Sequence, residues 1–189
     1  MASKVKIANR ALSAVGGSTI TSFEDQTRSS NLVELHYDQV VDDVLASNNW
    51  TVSTFRTSLS LASEAPAYGF ANKFPLPTDP YCLKVIDSSL DDFNFIYKIE
   101  GRNLLTDEAN VDIRYTGRLT DAEAFGPNVT KCVISLLAQR LAYDLTGPGD
   151  RYNALVDQYD FVWADASAND GQQGSPGVIV ADDLIDVRL

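Results

Sequence analysis

The sequence has few of the residues that carry most site chemistry. It contains two cysteines and one histidine, His36, in 189 residues. Cys82 and Cys132 stand far apart and lack a C-x-x-C spacing, which excludes a zinc site of the usual kind. We interpret both cysteines as buried apolar side chains that suit a reducing compartment. We expect the protein to need no metal and no cofactor.

Basic residues are also scarce. Lys and Arg together number 15 against 26 Asp and Glu, so the formal net charge is −11. A protein that grips nucleic acid gains affinity by neutralising phosphates with Lys and Arg. We therefore expect this chain to repel DNA, and we interpret its charge as an acidic, soluble surface.

Long apolar runs are missing as well. The opening segment MASKVKIANRALSAVGG is interrupted by charges, so the sequence predicts neither a signal peptide nor a membrane span. Apolar residues nevertheless make up 44 % of the chain. That share is enough for the core of one compact domain, or of one domain with a small inserted subdomain.

Motifs of catalysis are absent. The sequence has no G-x-x-x-x-G-K-[ST] loop, no G-x-G-x-x-G after a strand and no G-x-S-x-G. His36 lies inside a predicted amphipathic helix and is interpreted as structural. The acidic pairs at 42–43, 91–92 and 182–183 lack the frame of a calcium loop and are interpreted as solvated surface. We expect the protein not to be an enzyme.

Helical periodicity predicts two helices at the start of the chain. The first ends at Gly16-Gly17, and the second runs from about Thr27 to Asn49. The apolar stripe of the first consists of Val5, Ala8, Leu12 and Val15, with Ile7 and Ala11 beside them. The stripe of the second consists of Val33, Tyr37, Val40, Val41 and Val44. We expect the two helices to be antiparallel.

From Trp50 the pattern alternates with a period of two, which predicts strands. A Pro- and Gly-rich loop with short extended pieces follows at 62–80. The next strand contains Phe93, Phe95, Tyr97 and Ile99, which we interpret as sheet core and not as a base-stacking platform. A turn at 100–103 leads to a return strand, and alternation at 111–116 predicts another. We expect an antiparallel β-meander.

Helical spacing returns after Pro127 and again after Asp150, which is predicted to be an N-cap. The stripe of the first of these helices consists of Val129, Cys132, Val133, Leu136, Leu137 and Leu141. The stripe of the second consists of Leu155, Val156, Tyr159, Val162 and Trp163.

The sequence thus predicts an α+β fold. Residues 1–49 and 120–168 supply the two helical pairs of a four-helix bundle, and 50–119 form the inserted antiparallel β domain. Residues 169–189 are expected to be a flexible C-terminal arm, because a GQQGSPG linker precedes an apolar stretch. The predicted partner-binding residues of the arm are Val178, Ile179, Val180, Leu184 and Ile185. The alternative is that this segment folds back on its own domain.

Several segments resemble the head-to-tail adaptor family of short-tailed and related phages, whose members are often called tail tubular protein A. The family's N-x-x-L-x-x-[IV]-G motif is matched by Asn9, Leu12, Val15 and Gly16. Its I-x-S-[LF]-x-D motif is matched by Ile20, Ser22, Phe23 and Asp25. Trp50 follows the long helix, as in the family. The segments at 73–77 and 82–85 are similar to a further family stretch, although Pro80-Tyr81 departs from its commonest spacing.

The resemblance implies a structural virion protein. It implies a dodecameric ring between the portal protein and a tail tube or nozzle protein, at the head-tail junction of a virion made in the host cytoplasm. DNA would pass through the ring without specific binding, and an acidic wall favours such sliding. Two alternatives remain open from the residues alone. One is an acidic inhibitor that mimics DNA, and the other is a small enzyme that uses carboxylates.

Overall fold

A computed structural model describes residues 3–90 and 96–173. In this part of the chain it shows a mixed α+β structure with four long helices and two small antiparallel sheets. The helices are α1 (Lys4–Val15), α2 (Arg28–Ser47), α3 (Gly126–Thr146) and α4 (Asp150–Gly171). Short 3-10 helices at Thr51–Ser53 and Ala122–Phe125 lie at the two junctions between helices and strands. None of the described helices is long and apolar enough to cross a membrane.

Local signals account for the ends of the helices. Ser3 caps the start of α1, and Gly16, at φ 75°, ends it in the left-handed conformation that glycine adopts readily. Thr27 caps α2 through a reciprocal capping box with Ser30. The expectation that Asp150 caps α4 was wrong: Gly149 is the N-cap, and Asp150 is the first helical residue. There its carboxylate still faces the positive end of the helix dipole.

The core of the helical part is arranged around α3. Helices α1, α2 and α4 all pack against α3, whereas α1 and α2 touch each other only slightly. The predicted N-terminal pair therefore buries its stripes mainly against α3. The predicted stripes of α2 and α3 are wholly buried, and so are all of α1's predicted apolar residues except Val5. In α4 only Leu155 of the predicted stripe is fully buried, because α4 packs on one side of α3 and its other side is open.

The strands are β1 (Thr54–Ser58), β2 (Asn72–Pro75), β3 (Cys82–Ser88), β4 (Tyr97–Glu100), β5 (Asn103–Thr106) and β6 (Asp112–Gly117). The predicted hairpin is confirmed as β4 and β5, which are joined by Gly101-Arg102. Gly101 has a φ of 57° at the first central position, the pattern of a type II′ turn. Of the residues predicted for the strand before this turn, Phe93 and Phe95 lie outside the described residues.

The sheets do not form a meander, and that part of the expectation was wrong. One sheet has the order β1-β6-β3 and the other β2-β5-β4, so β6 pairs with two strands that are distant in sequence and not with β5. Strand β6 is the most buried strand of its sheet, which explains its central place. The unpredicted strand β3 provides its second neighbour. Pro75 ends β2, which is an edge strand, as proline requires.

A second, smaller apolar cluster lies in the β region. It contains Phe74, Leu104, Ile113 and Tyr115, with Tyr97 packed against it. The sheet β1-β6-β3 adjoins the helices through contacts of α2 with β3 and β6. The two clusters explain how a chain of this length supports both a helical part and a β part.

Candidate functional site

The predicted partner-binding residues Val178, Ile179, Val180, Leu184 and Ile185 lie outside the described residues. The structure instead describes the point from which this segment leaves. Helix α4 continues to Gly171, so residues 169–171, assigned above to the arm, are helical. The arm is therefore shorter at its start than the sequence indicated.

The end of α4 is held by a buried carboxylate. Asp170, which is 3 % exposed, accepts hydrogen bonds from the backbone N–H and the hydroxyl of Thr51, each 2.9 Å long. The amide of Gln173 donates to the same carboxylate at 3.5 Å. These bonds fix the start of the arm beside the 3-10 turn that leads into β1.

Two tryptophans brace the same junction. Trp50 is fully buried, and its indole N–H donates to the carbonyl of Val44 at 2.7 Å. Trp163 on α4 donates to the hydroxyl of Ser47 at 2.9 Å. The last turn of α2 is thereby joined both to the chain that follows it and to α4. Buried tryptophans satisfy their N–H in this way as a rule.

An ion pair ties the helical part to the sheet β1-β6-β3. The guanidinium of Arg118, directly after β6, donates through two nitrogens to the carboxylate of Asp42 on α2, with Nε–Oδ1 at 2.7 Å. The hydrogen bond to Asp42 raises the pKa of Arg118. Asp43 approaches Arg140 of α3 at 3.8 Å. The pair at 42–43, expected to be solvated surface, is therefore partly buried and engaged in ion pairs.

Tyr81 extends this connection to the second sheet. Two guanidinium groups approach its ring, with Arg102 at 3.8 Å and Arg118 at 4.7 Å from the ring centroid. Arg102 also donates to the carbonyls of Pro77 and Cys82, at 2.7 Å and 3.1 Å. Arginine stacked on an aromatic ring keeps its donors free for such bonds. The Pro80-Tyr81 dipeptide, which departs from the spacing of the resembling family, lies at this contact.

The connection between α1 and α2 is built from residues that carry the resemblance. Asn9 bonds both the N–H and the carbonyl of Ile20, each at 2.8 Å. The carboxylate of Asp25 accepts from the N–H groups of Ser22 and Thr21 and from the hydroxyl of Thr21. These bonds lower the pKa of Asp25. The motif residues thus shape a turn and do not surround a cavity.

His36 joins two helices. Its Nε2 lies 2.5 Å from the carboxylate of Asp144 on α3. An open cavity of about 270 Å³ adjoins the pair and is lined by His36, Gln139, Arg140, Tyr143, Asp144 and Tyr152. This described lining offers no serine, threonine or cysteine to act as a nucleophile beside the histidine.

Both cysteines are buried, as the sequence predicted. Burial raises the pKa of the Cys132 thiol to about 11 and also raises the pKa of Cys82. A thiol with a raised pKa is a poor nucleophile at neutral pH. Among the described residues no group of three or more His, Cys, Asp or Glu side chains is placed to hold a metal ion. The acidic pairs at 91–92 and 182–183 lie outside those residues.

Several large apolar side chains of the described part face solvent. Phe161 on α4 is 75 % exposed and Leu35 on α2 is 69 % exposed. Ile96 and Tyr68 are exposed to similar or greater degrees. Large apolar side chains that are exposed singly are normal on a protein surface, so these residues by themselves do not mark an interface.

Comparison of the sequence with protein-family models finds no match. Comparison with curated proteins finds none either.

Proposed function

We propose that this protein is a structural component of a phage virion, an adaptor that forms a ring between the portal protein and the tail tube or nozzle protein. The ring contains twelve copies of the chain, the number that the resemblance implies, and extends the DNA channel. The isolated protein is a monomer made in the host cytoplasm, and it has no catalytic activity and needs no cofactor. DNA passes through the channel without specific binding, and no membrane takes part.

The observation that carries this proposal is the role of the resembling residues. Asn9, Ile20 and Asp25 meet in one hydrogen-bonded turn, and Trp50 is buried where the helices give way to strands. Such residues specify how the elements of a scaffold are joined. Their order and spacing therefore support descent from a family defined by its scaffold and not by a catalytic site.

The arrangement of the elements supports the same proposal. Helices α1, α2 and α4 around α3 suit a four-helix bundle, with the β domain inserted between α2 and α3. The Asp42–Arg118 ion pair and the Tyr81 stack hold the insertion against the helices. A subunit with one rigid orientation of its two parts is suited to a closed ring, because every interface must repeat the same geometry.

The arm supplies a partner-binding segment in this proposal. Val178, Ile179, Val180, Leu184 and Ile185 together offer a few hundred Å² of apolar surface, worth several kcal/mol at roughly 25 cal/mol per Å² before ordering costs. Because Asp170 anchors the end of α4, the arm leaves every subunit from the same place. We expect it to dock on a neighbouring subunit or on the portal.

Electron microscopy of the protein mixed with its presumed portal tests the proposal directly. The expected result is an added ring beneath the portal, and a portal without an added ring would contradict it. Light scattering on the isolated protein at micromolar concentration is expected to report monomers. A stable dimer with a large apolar twofold interface would contradict the adaptor role, since that interface is self-complementary and does not propagate around a ring.

A truncated chain that ends at Gln173 tests the arm. This truncation keeps Asp170 and its bonds to Thr51, so the melting temperature of the monomer is expected to stay nearly unchanged. Incorporation into particles is expected to be lost. If the truncated chain unfolds, the arm packs on its own subunit and stabilises the fold. If the truncated chain assembles normally, the arm has no role in assembly.

A further inference from the structure

Helix α1 carries an exposed cationic face, and within the described chain only the carbonyl of Ala14 at its end is bonded from another helix, by the Arg151 guanidinium at 3.0 Å. It has three basic residues and no acidic one. Lys4 pairs with Asp38 at 3.4 Å, but the side chains of Lys6 and Arg10 are exposed and have no partner within residues 3–90 and 96–173. We call the exposed stripe of Lys6, Arg10, Ser13 and Ala14 the cationic face of α1.

Helix α4 carries the opposite charge. It has five aspartates and one arginine. Asp165 pairs with Lys131 and Asp170 is buried. The other three aspartates are exposed and without a partner in the described part of the chain: Asp150 at the start of the helix, and Asp157 and Asp160 farther along it. We call the exposed stripe of Ala154, Asp157, Asp160, Phe161 and Ala164 the acidic face of α4, and Phe161 lies in its middle.

The two faces match in spacing as well as in sign. Lys6 and Arg10 are one helical turn apart, and so are Asp157 and Phe161, with Asp160 beside them. Side chains three or four positions apart lie about 5–6 Å from each other on a helix surface. Two cations on one helix can therefore meet two carboxylates on another, with the ring of Phe161 covered by the aliphatic stems of Lys6 and Arg10.

We propose that the cationic face of α1 in one copy docks on the acidic face of α4 in the next copy. This inference rests on the proposed ring and names its lateral contact. A chain with a net charge of −11 generally repels its own copies. Attraction arises where the cationic face of α1 on one copy meets the acidic face of α4 on another, and this selects the orientation of the contact. Because the two faces are different surfaces of one chain, the contact is head-to-tail and propagates to a third copy, as a ring requires.

The same contact accounts for a monomer in dilute solution. Exposed ion pairs contribute little and are screened by salt, and one apolar side chain does not offset the cost of association. The ring therefore closes only where a template such as the portal raises the local concentration of subunits. Low ionic strength and high protein concentration favour the contact without a template.

Charge reversal tests the contact. One variant carries Lys6→Glu and Arg10→Glu, and the other carries Asp157→Lys and Asp160→Lys. In a solution of either variant alone, the α1 face of one copy meets an α4 face of the same charge sign on the next copy. In a mixture of the two variants, the α1 face of one variant meets an α4 face of opposite charge on the other. A control with Glu64→Lys and Glu100→Lys changes the net charge as much as the α4 variant does, at exposed sites in the β part that have no described partner.

The readout is carbodiimide cross-linking of a mixture of isotope-labelled and unlabelled protein, which separates links between chains from links within one chain. In concentrated wild-type protein at low salt we expect links between Lys6 and Asp157 or Asp160 of different chains. Each variant alone lacks one reactive group of this link, so sedimentation velocity at the same protein concentration and low salt measures its self-association instead. We expect self-association of the control to match that of the wild type and self-association of either variant alone to be at least about tenfold weaker. In the mixture of variants we expect association to recover, together with links between position 6 of one variant and position 157 or 160 of the other. Absence of the wild-type link, or self-association of one variant alone as strong as that of the wild type, overturns the inference.

Assembly with the portal separates this inference from the proposed function. If the wild-type protein adds no ring to the portal, the proposed function fails, whatever the cross-links show. If the wild-type protein adds a ring and each charge-reversed variant alone does so equally well, the adaptor role stands and the α1–α4 contact is refuted. Circular dichroism of each variant shows that a lost contact does not come from a lost fold.

Discussion

Replacing Asp170 by alanine removes the two hydrogen bonds from Thr51, each 2.9 Å long. Net hydrogen bonds to charged groups contribute about 1.5–3 kcal/mol each, so two would contribute about 3–6 kcal/mol. The carboxylate is only 3 % exposed, however, and its removal also relieves a desolvation penalty of several kcal/mol. We therefore expect Asp170→Ala to lower the free energy of unfolding by about 2 kcal/mol, or the melting temperature by about 4–8 °C.

Urea unfolding followed by tryptophan fluorescence measures this effect, since Trp50 adjoins Thr51 and Trp163 lies on α4. Thr51→Val removes the hydroxyl, with its bond to Asp170 and its 3.3 Å contact with the side-chain oxygen of Gln173, and keeps the N–H bond. In a double-mutant cycle, Thr51→Val and Asp170→Ala are expected to couple by about 1 kcal/mol. Asp170→Asn keeps the shape of the side chain and reports how much of the effect depends on its charge.

The reasoning would be refuted by either of two results. One is an Asp170→Ala variant within about 0.5 kcal/mol of the wild type, the range of an ordinary surface substitution. The other is a coupling energy of zero with Thr51→Val, which would show that the bond does not contribute in solution. In either case α4 would not hold the start of the arm in place.

Three further predictions follow from the structure and the charge. Gly117→Ala is expected to lower the free energy of unfolding by about 1–3 kcal/mol, because the new Cβ would lie 2.7 Å from the Phe55 ring and 2.9 Å from Pro80. Gly171→Ala is the control in the same urea titration, because a Cβ there has no described neighbour within 4 Å. No duplex DNA binding is expected at physiological salt, and tight binding with a steep negative salt slope in a titration would contradict the acidic-channel argument. The fold lowers the pKa of Asp25, so its stabilising contribution is present above its unfolded pKa of about 3.9 and is lost as pH falls through the lower folded value. Asp25→Asn is expected to remove this part of the loss of stability in acid. An unchanged dependence of stability on pH would show that the bonds do not form.

The elements themselves were largely predictable from the sequence. Periodicity located all four helices, Gly16 and Pro127 marked an end of α1 and of α3, and the apolar stripes of α2 and α3 are buried as expected. The turn at Gly101 located the β4-β5 hairpin. These signals are local: they depend on side chains a few positions apart on one element, so a single sequence contains them.

The pairing of β6 with β1 and β3 could not be predicted in the same way. Alternation shows that a segment is a strand but does not name its neighbours, and the meander was inferred from chain order alone. Strand β3 was missed because its side chains are mostly half-buried on both faces and alternate weakly. Segment Cys82–Ser88 is a strand because it pairs with β6, and its own sequence pattern does not show this.

For the candidate site, too, the sequence shows which residues are present, and the structure shows where they lie. The sequence by itself determined the scarcity of catalytic and metal-binding residues, the acidic charge and the apolar composition of 178–185, because these depend only on which residues are present. Only the tertiary structure decided that Asp170 is buried against Thr51, that Arg118 joins Asp42 and Tyr81, and that Lys6, Arg10, Asp157 and Asp160 lie on uncovered faces. Whether a charge is paired, buried or exposed depends on residues far away in the chain, and folding alone brings those residues together.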